Sequence, residues 1–288
     1  MFSLLKKIKE KKIKKLKKSI IDNINQITKK INKKGTVTFF HSGHLGDLIN
    51  SLPVIKEVSK KKKCKLLINI NKKIHKKDID KLHPSGEFYL SLNAYNKIYP
   101  LLKKQPFLTN IDIYKGQKID VNLDLFRDLP INFNIDSIRW YSHVTGVFPN
   151  LDKPYLLNIK KKIRYKKSIV FIRTLRRQNK HIKFNFLNKY NNLVFIGLYP
   201  EYLDLKKQIP KLLFYDCKNF LEMAEIIASS SLFIGNLSFG YTIAEALKKP
   251  RLLESHLDFP LVYPNGKKAF EFYFQNHFEQ LVKNIIKR

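Results

Sequence analysis

Short runs of β-branched and aromatic residues alternate along this chain with stretches whose apolar positions recur at helical spacing. Residues 36–40 (TVTFF) read as a strand, 41–47 (HSGHLGD) as a loop, and 48–61 as an amphipathic helix interrupted near its start by Pro53. A strand is predicted over 65–70, a helix over 87–104, and another strand over 119–125. The rhythm restarts with strands at 168–174, 193–198 and 212–216, then a helix capped by Asn219. The run Leu232–Gly235 suits a buried parallel strand, and the helical pattern resumes at Tyr241. A last strand at 250–254 and a long closing helix over 268–286 complete the pattern. Such alternation predicts an α/β architecture of two Rossmann-like domains facing a cleft, with a boundary near 159–167. No repeat with a period of roughly 20–50 residues occurs, which excludes a solenoid.

Residues 1–34 stand apart. They carry thirteen lysines against Glu10 and Asp22, with Leu5, Ile8, Ile13, Leu16, Ile20, Ile24, Ile27 and Ile31 at helical spacing. This predicts an amphipathic helix with a basic face. Such a helix either lies on anionic lipid, through residues 1–18, or packs on its own domain by its isoleucine stripe.

Charge changes the picture less than its size suggests. The net +33 favours anionic partners, but lysine is spread through the whole chain, so only local concentrations of it are informative. Aromatic residues fall within strand-like runs instead of interleaving a basic surface, which argues against specific nucleic-acid binding. Cys64 and Cys217 are the only cysteines and have no metal-ligand spacing, which suits a reducing cytoplasm. No run of about 20 apolar residues is present to cross a bilayer. Asp78 with Asp80 and Asp120 with Asp124 imitate metal-binding acidic pairs; the first lies in a lysine-rich loop and the second shares a predicted strand face, so no metal is assigned to either.

Two stretches carry candidate chemistry. In Ser231–Pro250, a strand, a tight loop and a helix start would leave backbone amides of Ser238, Phe239 and Gly240 pointing outward at the positive end of a helix dipole, a site for phosphate. An ordinary strand-to-helix corner has the same pattern. In the 41–47 loop, Asp47 is flanked by glycine and two histidines, where it serves either as a reactive carboxylate or as a helix N-cap.

Together, GHLGDLINSLPVIKEV (43–58) and ASSSLFIGNLSFGYTIAEALKKP (228–250) resemble the GT-B heptosyltransferases that use ADP-heptose. The first matches the family's GD, five residues and proline; the second keeps Asn236 and Ser238 but has Leu237 for an acidic residue, Gly240 displaced and Thr242 for a histidine. The resemblance implies an acceptor domain over 35–163 and a nucleotide-sugar domain over 164–288, after the helical extension. It implies Asp47 as catalytic base, with His41, Gly43, His44 and Gly46 forming the acceptor loop. It also implies that Asn236, Ser238, Phe239 and Gly240 hold donor phosphate with Arg173 and Arg177, chosen from the basic segment that includes Arg176, Lys180 and Lys183. Glu245 is implied to hold the donor ribose.

The function expected is inverting, metal-independent glycosyl transfer from a nucleotide-diphosphate sugar to a glycan or lipid-linked acceptor in cell-surface polysaccharide assembly. It needs no cofactor beyond its substrates and places the protein in the cytoplasm, at the inner face of the membrane. The rival readings are a non-catalytic polyanion or membrane-surface binder on a degenerate GT-B fold, and a sugar-nucleotide epimerase.

Overall fold

A computed structural model describes residues 2–75, 83–128, 135–256 and 262–286, and of residues 2–9 and 12–17 only the backbone. Asp78 and Asp80 lie outside the described residues.

The N-terminal segment forms one helix, α1 (Phe2–Lys33). Ile27 and Ile31 are buried, and the Asn23 amide donates to the Val144 carbonyl at 2.9 Å, so the second half of the isoleucine stripe is core. It packs on α4 (Ser137–Thr145), which ends at Gly146 in a left-handed conformation. A side chain there would collide with Ile24 as well as strain the backbone.

The first sheet is wholly parallel and contains β1 (Thr36–His41), β2 (Lys63–Ile68), β3 (Asn110–Ile113) and β4 (Val121–Asn122), in the order β3-β2-β1-β4. Helix α2 (Leu45–Ser59) connects β1 to β2, and α3 (Leu92–Lys103) precedes β3. The second sheet contains β5 (Ile169–Ile172), β6 (Leu193–Phe195), β7 (Leu213–Phe214), β8 (Leu232–Asn236), β9 (Arg251–Glu254) and β10 (Ala269–Phe272). Its order is β10-β9-β8-β5-β6-β7, again all parallel. Numbered within this sheet, that is the doubly wound order 3-2-1-4-5-6, with α5 (Tyr199–Lys206), α6 (Phe220–Ser229), α7 (Phe239–Leu247) and α8 (Gln275–Ile286) around it. Each sheet has one place where the strand order reverses, β1/β4 in the first and β5/β8 in the second. Crevices for ligands open at the carboxyl ends of strands at such points.

Several elements differ from the sequence pattern for local reasons. The closing helix over 268–286 is instead β10 followed by α8, because the alternating aromatics of AFEFYF suit a pleated edge strand. The 119–125 strand stops at Asn122, whose side chain accepts the Asp124 amide and turns the chain into a short 3-10 helix, Leu123–Arg127. Asp120 and Asp124 therefore share no strand face: Asp120 binds the Lys34 ammonium and the Thr38 amide, while Asp124 lies beyond the sheet. Helix α3 starts at Leu92 because Ser91 caps it, accepting the Ala94 amide. Strand β3 and helices α4 and α5 are not predicted, being short and without a sustained apolar period.

One apolar cluster runs through both halves, joining Leu48, Leu52 and Ile55 of α2 to Ile226, Tyr241 and Ile243 of α6 and α7. The amides of Tyr155 and Leu156 both donate to the Ala246 carbonyl, at 2.9 and 3.2 Å. This packing brings the two switch points together.

Candidate active site

The first half of the site is built where β1 and β4 diverge. His41 ends β1 with its ring buried; Nδ1 accepts the Gly43 amide at 2.8 Å, which leaves the proton on Nε2 to donate to the Tyr141 hydroxyl at 2.9 Å. Burial above all, with help from the Arg127 charge, pushes the His41 pKa down to about 4, so the ring is neutral near pH 7. His41 thus shapes the loop and lies behind it, out of reach of an acceptor.

Asp47 lies in the first turn of α2, and the N-cap position belongs to His44, which makes no side-chain cap. The capping role considered for Asp47 is therefore not the one it has. Its carboxylate accepts Arg127 Nη2 at 3.2 Å, while Arg127 Nη1 donates to Asp124 at 3.0 Å. The guanidinium is held face-on by aromatic rings, 4.1 Å from the centre of Phe126 and 4.6 Å from that of Tyr89. Gly43 admits it: a Cβ there would overlap Arg127 Nη2.

Asp124 is the buried anchor of this group. It accepts the Ser42 amide at 3.0 Å, the Ser42 hydroxyl, Arg127, and Lys72 at 3.4 Å. Burial raises its pKa, but the charge of His41, protonated in that acid range, that of Arg127 and the Ser42 hydrogen bonds outweigh it and hold it at about 2. Neither Asp124 nor Arg127 was singled out from sequence as a site residue, since a predicted strand hid the turn that aims them at Asp47. His44 faces His83 and Tyr89, with ring centres 4.4 and 5.2 Å away.

The second half is built where β5 and β8 diverge. Ser238 caps α7, its hydroxyl accepting the Tyr241 amide at 3.3 Å, and the first-turn amides of Phe239 and Gly240 have no intrahelical acceptor. Gly240 lets α7 sit on β5, because a Cβ there would collide with Ile172, and the Phe239 ring packs on Phe220 at 4.6 Å. Beside this turn a cavity of about 130 Å³ is lined by Leu237, Glu254, Ser255, Tyr263 and Tyr273.

Three expected donor ligands have other work. Arg173 is buried and forms a fork with Glu254 at 2.6 and 2.7 Å, over the Phe184 ring, because a guanidinium at the end of a buried strand needs a carboxylate partner. Asn236 spends its whole amide on the loop after β5: its oxygen accepts the Thr174 amide at 2.9 Å, and its nitrogen donates to the carbonyls of Thr174 and Arg176 at 2.9 and 2.8 Å. Glu245 is buried against Arg251, at 2.5 Å, and Lys248, and accepts the Asn265 amide. Arg177 holds the left-handed turn of the braced loop, at φ 57°. Arg176, next to it, lies close enough to His44 for its charge to add to burial in lowering that ring's pKa.

The halves meet where α2 packs on α7, with Gly46 facing Thr242: a Cβ added at Gly46 would lie 3.5 Å from Thr242 Oγ1. Among the described residues no cluster of three or more His, Cys, Asp or Glu side chains is arranged to hold a metal, and no helix is long and apolar enough to cross a membrane. Burial pushes both thiols up to about 12, so neither cysteine is a thiolate at neutral pH.

Solved structures share this arrangement. A glycosyl transferase family 9 protein from Veillonella parvula superposes over 88% of this chain and 89% of its own, with a TM-score of 0.52 at 11% identity. The E. coli heptosyltransferase WaaC with ADP does so over 87% and 99%, with a TM-score of 0.54 at 11% identity. The fold is GT-B. The iron-containing dodecameric heptosyltransferase TibC, in complex with ADP-D-β-D-heptose, matches over 83% of this chain and 63% of its own, with a TM-score of 0.55 at 14% identity. No protein-family profile and no curated protein matches the sequence. In this GT-B frame the Asp47 loop belongs to the N-terminal sheet and the Ser238 turn to the C-terminal one.

Proposed function

We propose that the protein is an inverting glycosyltransferase that moves a sugar from a nucleotide-diphosphate donor to a hydroxyl of a glycan or lipid-linked acceptor, in cell-surface polysaccharide assembly. One observation carries the reading: the helix whose first turn bears a carboxylate fixed by an arginine, at one switch point, packs on the helix whose amide-bearing start lies at the other. Asp47 takes the acceptor proton as that oxygen attacks the anomeric carbon from the face opposite the leaving diphosphate. The charge growing on the diphosphate meets the Ser238–Gly240 amides and the α7 dipole, in place before the reaction begins, with Arg177 on the facing loop as the basic side chain, so the step calls for no metal ion. Gly43, His44 and Gly46 line the acceptor side, and His41 holds that loop in shape. Arg173, Asn236 and Glu245 keep the donor half folded.

Because WaaC and TibC were solved with ADP and ADP-heptose, ADP-heptose is the first donor to try. Residues 1–18 lie on the anionic inner face of the membrane, near a lipid-linked acceptor. A thermal-shift screen against ADP, UDP, GDP and CMP sugars tests the reading. A nucleotide diphosphate raising Tm supports it. Stabilisation by polyanions alone, with steep salt dependence, marks a non-catalytic binder on this fold, and turnover of donor without acceptor marks an epimerase.

A further inference from the structure

A cavity of about 670 Å³ lies at the opposite end of the N-terminal sheet from Asp47, where β1 and β2 begin. Its rim carries Lys56 and the unbroken run Lys60–Lys63, and no carboxylate lines it. Glu57 pairs with Lys60, at 2.6 Å, and its charge also bears on Lys56. The Lys56 and Lys62 ammoniums donate to backbone carbonyls, of Pro154 at 2.6 Å and Asn32 at 3.0 Å, and those contacts cancel no charge. Like charges gathered in a concavity repel one another and focus a positive potential into it, which an anion relieves. Burial and the neighbouring Lys60 charge lower the pKa of Lys56, in keeping with that crowding.

From this we infer that the lysine-rimmed groove is a second, independent contact with the membrane, taking the phosphate headgroups of anionic phospholipids. Two features favour a bilayer over a single-stranded nucleic acid. The aromatic floor, Phe107, is only 7% exposed and offers no face on which a base could stack. Lys62 also holds the last turn of α1 at Asn32, so the helix whose residues 6–18 include nine lysines leaves from the groove's own rim. Groove and helix are thereby parts of one basic structure, as polybasic segments on anionic leaflets are. The inference does not depend on the glycosyltransferase reading, and its test separates the groove from residues 1–18.

The test is sedimentation of the full-length protein with phosphatidylcholine vesicles, with and without phosphatidylglycerol. The groove variant replaces three exposed lysines, Lys60→Gln, Lys61→Gln and Lys63→Gln; a control carries Lys207→Gln, Lys211→Gln and Lys218→Gln on the other half. The wild type and the control are expected to bind only vesicles containing phosphatidylglycerol, and the groove variant to bind them about a hundredfold more weakly, with an unchanged Tm. The same loss is expected when the groove substitutions are added to a chain lacking residues 2–18. Equal binding by the groove variant and the wild type, equal losses in groove and control variants, or binding to free polyanions with none to vesicles, would each overturn the inference.

Discussion

Arg127 holds Asp47 from one side and Asp124 from the other, through separate nitrogens at 3.2 and 3.0 Å. A single guanidinium thereby transmits the rigidity of a buried carboxylate to one in the first turn of α2. The geometry depends on Gly43, whose missing side chain is the space Arg127 fills.

Gly43→Ala and Arg127→Ala are therefore expected to damage transfer by a common route. In a double-mutant cycle on kcat/KM the second substitution adds little to the first, with a coupling of about 0.5–3 kcal/mol. Additive losses would mean that Gly43 acts on something other than Arg127.

The Arg173–Glu254 fork is expected to matter for folding before binding. Glu254→Gln leaves a buried guanidinium short of its charge partner and should cost about 3–5 kcal/mol, read as a lower denaturant midpoint. A variant of unchanged stability with a raised donor KM would return Arg173 to the phosphate role.

Asp136 sets a pH dependence at the junction of the halves. Burial raises its carboxyl to about 6 despite the hydrogen bond from Asn265, with the Glu245 charge adding to the rise. A folded pKa above the unfolded value of about 3.9 gives stability that is present below pH 4 and lost as pH rises to 6. Asp136→Asn removes that loss, so its Tm relative to the wild type is expected to improve between pH 4 and pH 7, by the equivalent of about 3 kcal/mol. A difference in Tm that stays flat across that range would contradict the assignment.

The inner part of α1 belongs to the fold. Ile27→Ala and Ile31→Ala each empty a core position against the N-terminal half and are expected to cost about 2–5 kcal/mol. Stability within error of the wild type would mean that α1 is not docked there in solution.

How much of this was legible in the sequence depends on the scale of the feature. The strand and helix rhythm, the glycines around Asp47 and the Ser238 turn are local signals, and they point to the two switch points where the candidate site lies. Pairing is not local. Arg173 and Glu254 are far apart in the chain, and only the β5-β8-β9 order brings them together, so the sequence shows Arg173 as a basic residue and not its buried partner. Arg251 is only six residues from Glu245, yet it becomes a buried partner through the turn from α7 into β9, which no pattern of residues marks. Arg127 was missed because a two-residue strand followed by a 3-10 turn leaves no periodic trace.

The central claim is that Asp47 is the base of a glycosyl transfer between these two halves. Its most direct test is Asp47→Asn, assayed for sugar transfer from a nucleotide-diphosphate donor beside a thermal shift with the matching nucleotide. The account predicts transfer reduced by about 10²–10⁴-fold with the nucleotide-induced rise in Tm retained. Transfer near the wild-type rate would contradict it.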